Sequence, residues 1–146
     1  MIKTDICEML GIRYPVFQGG MAWIADGRLA AAVSEGGGLG IVAAGNASCE
    51  RVREQIHIAR SLTDKPFGLN IMLQSPHADE IAQMAAEEKL AVVTTGAGNP
   101  SKYMQMWLES YTLYVEYVNL YNEEPKATMV YKGKNIGKWI YTQKTY

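Results

Sequence analysis

Apolar residues in this chain fall in short continuous runs, separated by stretches in which they recur at helical spacing. Tyr14–Gln18 is apolar and extended, and Gly19-Gly20 ends it, which predicts a first strand. Asp26 is placed to cap a helix with Leu29, Ala30 and Val33 on one face, terminated by Gly36–Gly38. Leu39–Ala43 is a second run of buried-strand type. Ser48 caps another helix, with Val52, Ile56 and Ala59 at i, i+4 and i+7. Pro66 precedes a third strand, Phe67–Met72. Ser75-Pro76 then reads as a cap followed by proline at the first helical position, with Asp79 and Glu80 in the first turn. Ile81, Met84 and Ala85 form the inward stripe of that helix, and Leu90–Thr95 is a fourth strand.

Asn99-Pro100 opens a further helix. Met104, Trp107, Leu108, Tyr111, Tyr114, Val115, Val118 and Tyr121 stay in helical phase, which predicts roughly 20 residues of helix about 30 Å long. Glu123-Glu124-Pro125 ends it. A turn around Lys132-Gly133-Lys134 and a last apolar-aromatic segment, Ile136–Tyr141, complete the chain.

Strands that are apolar throughout and alternate with helices indicate a parallel sheet covered by helices. Their spacing of about 25 residues fits βαβ units. Periodicity leaves a doubly wound sheet and a barrel equally open.

Composition adds a discontinuity. Twelve of the 14 glycines precede Trp107, and seven of the nine tyrosines follow it. Two sequence sources, joined near residues 103–110, would produce such a break. A length of 146 residues with 48% hydrophobic content suffices for one core. A net charge of −1 supplies no field to steer nucleic acid or a membrane surface. Cys7 and Cys49 have no metal-ligand or C-x-x-C spacing and read as free thiols of a reducing cytoplasm. The sequence has neither a membrane-spanning run nor a signal peptide at its start, so a cytoplasmic protein is expected.

Candidate chemistry lies at the ends of the predicted strands. Gln18-Gly19-Gly20-Met21-Ala22 follows the first strand, and its glycines let backbone approach a flat ring; a tight turn explains the same pattern. Asn70 interrupts an apolar strand and must find partners for its amide. Thr94 and Thr95 close the fourth strand. Gly96-Ala97-Gly98-Asn99-Pro100-Ser101 follows a strand and opens a helix, where free N–H groups favour an anion. It lacks the third glycine of a dinucleotide fingerprint, and Gly36-Gly37-Gly38-Leu39-Gly40 precedes a strand where that fingerprint needs a helix. An ordinary helix cap accounts for both. His57 reads as a solvated helix residue. His77 follows the third strand, and a catalytic role for it is not expected.

Tyr14–Asn46, Lys65–Leu73 and Val92–Met104 closely resemble the FMN-dependent enoyl-acyl-carrier-protein reductase II and its nitronate monooxygenase relatives. The resemblance decides for the barrel. It implies an α/β fold, a partial TIM-type β/α barrel with about four parallel strands, over residues 1–106. It implies that Gly19, Gly20, Met21 and Ala22 lie against the isoalloxazine of FMN, that Asn70 bonds the flavin's pyrimidine edge, and that Thr95 faces the cofactor. Gly96, Gly98 and Asn99 would line the substrate side. NAD(P)H would be the hydride donor, and a small molecule or acyl thioester the substrate. The family's catalytic histidine lies in a Gly-Gly-His segment beyond the resemblance. Its phosphate site belongs to loops after strands seven and eight. Without those contacts, each worth roughly 1.5–3 kcal/mol, FMN binding is expected to be weak or lost. Open sheet edges invite self-association.

Residues 107–146 resemble a helicase-associated domain, through Trp107, the tyrosine-rich stretch after it, and Gly133, Ile136, Gly137, Trp139 and Gln143. That implies a small, mainly helical tail. Lys132, Lys134, Lys138 and Lys144 beside Trp139 and Tyr141 would permit nucleic-acid contact. Five lysines against four acidic residues leave the tail at only +1, which argues for a solvated face instead. Three readings compete: a truncated, weakly active or inactive FMN oxidoreductase; a nucleic-acid or protein-binding adaptor acting through the tail; and a fusion product without evolved activity.

Overall fold

The computed structural model describes residues 4–109 and the strands at 113–116, 126–131 and 134–140. A helix absent from the sequence reading comes first: α1 (Asp5–Leu10), capped by the Thr4 side chain and closed by Gly11 in the left-handed region. The expected first strand is reduced to one parallel bridge, Phe17 to Leu39. Next come α2 (Gly27–Glu35), β1 (Gly40–Ala43), α3 (Cys49–Leu62), β2 (Phe67–Met72), α4 (Ala78–Glu87), β3 (Val92–Gly96) and α5 (Ser101–Glu109). β1, β2 and β3 are parallel neighbours.

The predicted caps hold at two helices: the Asp26 carboxylate accepts from Leu29 N, and the Ser48 hydroxyl from Arg51 N. α2 is turned from the expected phase. Its buried face is Gly27, Ala30, Ala31 and Ser34, because small residues bring it hard against β1. A Cβ on Gly40 would run into the Ala30 carbonyl. The Ser34 hydroxyl accepts from Gly40 N at 3.1 Å and donates to Pro66 O at 2.8 Å, tying α2 to β1 and to the approach of β2. Before α4 the cap shifts: Ser75 accepts from His77 N, and the helix starts at Ala78.

The long fourth helix is a correction. α5 stops at Glu109, and β4 (Leu113–Glu116) pairs in parallel with β3, Val92 opposite Leu113. β5 (Lys126–Tyr131) and β6 (Lys134–Ile140) continue the sheet antiparallel. The described residues after Glu109 therefore form strands where a mainly helical tail was expected. Tyr114 and Val115 are aromatic and β-branched, which suits a strand as well as a helical stripe. The open edge of β3 needs a partner, and that need outweighs helical phase. The predicted helix end at Glu123–Pro125 and the turn residues Lys132 and Gly133 lie outside the described residues.

The sheet order is β1-β2-β3-β4-β5-β6. One face packs against the helices through Val42, Leu69, Ile71, Val93, Ile56, Ile81 and Trp107. Trp107 is fully buried, and its indole N–H donates to Ala82 O at 3.0 Å. The other face carries Leu39, Ile41 and Val92 at the N-terminal end of the strands, closed off by Cys7, Leu10 and Ile12.

Candidate functional site at the strand ends

Side chains alternate across a strand, so the face that starts apolar can be followed upward. On β2 it runs Gly68, Asn70, Met72; on β3 it runs Val92, Thr94, Gly96. Asn70 stands opposite Thr94. The face thus changes from apolar to polar towards the C-terminal ends. There Asn70 Nδ2 donates to Thr94 Oγ1 at 2.9 Å. Thr94 is fully buried and Asn70 half-buried.

Over Asn70 runs the loop that follows the first extended segment. A Cβ placed on Gly20 would lie 2.5 Å from Asn70 Cγ and 2.7 Å from its Oδ1. No residue but glycine fits there without moving one of the two. Cβ positions on Gly19 and Gly96, by contrast, point into open space. The loop is held at both ends. Gln18 Nε2 donates to Ile41 O at 3.0 Å, and Ala43 N donates to Ala25 O at 2.8 Å. Between these anchors Met21 is exposed, and its carbonyl oxygen accepts from both Ile24 N and Ala25 N. Trp23 adopts φ of 69°, a left-handed conformation that costs a bulky residue about 1–2 kcal/mol, and it is 87% exposed.

The predicted site residues therefore divide. Gly19, Gly20, Met21, Ala22, Asn70 and Gly96 gather at one end of the sheet. Thr95 does not face them: it is in register with Ile71 and buried on the helix-packed face. Thr94 takes the place on the site face. Asn99 is spent as a cap, its Oδ1 accepting from Ser101 N at 2.9 Å. Gly98 lies close against Leu73, where a Cβ would meet Leu73 Cβ at 2.7 Å. His57 is exposed beside Glu88, and His77 Nδ1 lies 4.0 Å from Glu80. A cavity of about 110 Å³ lined by Trp23, Ala44, Arg51 and Gln55 opens on the helix side. Small-molecule sites usually measure roughly 300–1,000 Å³, and this cavity falls short of that. Among the described residues, no three His, Cys, Asp or Glu side chains are grouped to hold a metal, and no helix is long and apolar enough to cross a membrane.

Beyond the rim, α4 and α5 are joined at their first turns. Lys102 Nζ donates to Asp79 Oδ1 at 2.6 Å, and the Tyr103 hydroxyl donates to the same oxygen. The Lys102 bond, then the Tyr103 bond, hold the Asp79 carboxyl below its usual range. Burial, then the bond to Asp79, push the Tyr103 phenol up.

A nitronate monooxygenase family model matches residues 3–142. The chain belongs to the nitronate monooxygenase family. The match runs on to residue 142, across most of the tail for which a helicase-associated domain was expected. FabK from Thermotoga maritima superposes with a TM-score of 0.79 at 46% identity, over 81% of this chain and 38% of that one. A nitroalkane oxidase from Streptomyces ansochromogenes, 22% identical, shares the fold at a TM-score of 0.68 over 77% of this chain and 42% of that one. Among curated proteins, (3aS,4S,5R,7aS)-5-hydroxy-7a-methyl-1-oxo-octahydro-1H-indene-4-carboxyl-CoA dehydrogenase of Mycobacterium tuberculosis is 34% identical over 93 residues, 64% of this chain and 26% of that protein. The chain thus spans about a quarter of that relative's length. Membership in this oxidoreductase family establishes a parallel-stranded α/β fold related to the FabK barrel.

Proposed function

We propose that this chain carries the ring-side wall of an FMN site in an oxidoreductase of the enoyl-thioester reductase or nitronate-oxidising type. The observation that supports it is the contact of Gly20 with Asn70 beneath open space at Gly19 and Gly96. A planar ring needs a wall without side-chain bulk, one fixed polar group at its edge and an apolar rim. Gly19 and Gly20 supply the first, Asn70 the second, and Met21 with Ala22 the third. Bound flavin supplies hydride transfer between a nicotinamide and a substrate. The protein's share is to orient the ring, through the Asn70 amide, and to shield one face of it.

This wall contacts the ring and not the ribityl phosphate. The competing adaptor role rests on the sequence of residues 107–146 alone.

Titration of the purified chain with FMN and with riboflavin, followed by flavin fluorescence and the absorbance band near 450 nm (approximate, and common to flavins), tests the proposal. The two ligands are expected to bind within about threefold of each other, since a neutral ring contact is common to both. Absence of binding by either would sink the flavin reading. FMN retained stoichiometrically through gel filtration would sink the claim that the wall acts without a phosphate anchor.

A further inference from the structure

We infer that Thr94 is a positioning residue, which pins the Asn70 side chain to the neighbouring strand and so fixes the place of its amide beneath Gly20. The inference rests on the ring-side wall proposed above. An asparagine side chain needs partners to hold its amide in place. Here Nδ2 donates to Thr94 Oγ1 at 2.9 Å, which ties the amide to the neighbouring strand. Oδ1 then lies under Gly20, 2.7 Å from where a Cβ would be.

The surroundings keep this anchor in place. Thr94 is fully buried, so no water replaces its hydroxyl without a cavity opening. The pairing of β2 with β3 sets Asn70 directly opposite Thr94, so the two cannot slide apart without a register shift. A ring edge at the rim would therefore meet an amide already in place. Without Thr94 the Asn70 side chain loses its anchor across the strands and leaves that place more readily. The threonine touches no ligand itself; it works through Asn70.

The test uses the intact chain with Thr94→Val, Thr94→Ser, Asn70→Ala and the Asn70→Ala/Thr94→Val pair. Thr94→Val is expected to weaken FMN binding about tenfold, the scale of one well-placed hydrogen bond. Thr94→Ser restores most of it. In the Asn70→Ala background, Thr94→Val adds no further loss. Equal affinities of wild type and Thr94→Val overturn the inference, and so does a full additional loss in the double variant, which would give Thr94 a role independent of Asn70. A flavin-free readout separates this inference from the proposal beneath it. The Asn70 side-chain amide protons, followed by NMR, are expected to exchange slowly in wild type and rapidly in Thr94→Val. Failure of wild type to bind flavin removes the proposed function, whereas unchanged exchange removes the role of Thr94.

Discussion

Gly20 has the most restrictive surroundings of any candidate site residue, and its substitution has a definite consequence. A methyl group there would contact Asn70 at its Cβ and Cγ as well as its tip, so a rotamer change alone does not relieve it. The loop must lift. Overpacking of this kind costs roughly 1–3 kcal/mol. Gly20→Ala is expected to lower the thermal midpoint and to weaken flavin binding at least tenfold, whereas Gly19→Ala, facing open space, leaves stability near wild type. Parallel melting curves and flavin titrations check this. A Gly20→Ala protein that binds flavin normally would show that the close approach has no part in the site. At this scale the sequence was informative about identity and weak about direction. It marked Asn70 and two adjacent threonines, yet alternation puts Thr94 and Thr95 on opposite faces, and only the pairing with β2 shows which one meets Asn70.

At the level of elements, local signals worked where they were self-contained. Asp26 and Ser48 satisfy backbone N–H groups of their own helices, so the caps were legible from neighbours in sequence. β4 was not, because its formation depends on the edge of β3, about twenty residues upstream. The phase of α2 was missed for a related reason: Gly27 and Ser34 face inwards owing to partners on α3 and β1, the Gln55 side chain accepting from Gly27 N at 3.0 Å. The α4–α5 junction has a predictable response to acid. Asp79 titrates lower in the folded chain than in an unfolded one because Lys102 and Tyr103 bond its ionised form. That stabilisation is complete above the unfolded pKa of about 3.9 and drains away as pH falls through the folded value. The pair is solvent-exposed, so the amplitude is modest. Melting curves from pH 6 down to about pH 2.5 are expected to fall less steeply for Asp79→Asn than for wild type. Parallel curves would remove Asp79 from the acid response.

Considered whole, the described residues make an open sheet whose first segment lies against Leu39, through the Phe17–Leu39 bridge and main-chain bonds from Gln18 N to Leu39 O and from Leu39 N to Val16 O. Val16 is 58% exposed and Tyr14 40% exposed along that segment. An apolar edge is a template for another chain. Self-association is the expected behaviour of the isolated chain, and Val16→Lys is expected to shift it towards monomer, because charge on an edge strand opposes pairing. Light scattering across a concentration series decides the point; identical masses for both proteins would place any association elsewhere.

Gln18 connects that edge to the rim in an unusual way. Its amide both donates to Ile41 O and faces Ile41 N at 3.5 Å, standing where a neighbouring peptide group would stand in a regular ladder. The main chain of the same residue is still in the ladder, Gln18 N donating to Leu39 O at 3.0 Å. The glycine loop is therefore moored twice at one residue, by backbone and by side chain, so its height above Asn70 follows the strand below it.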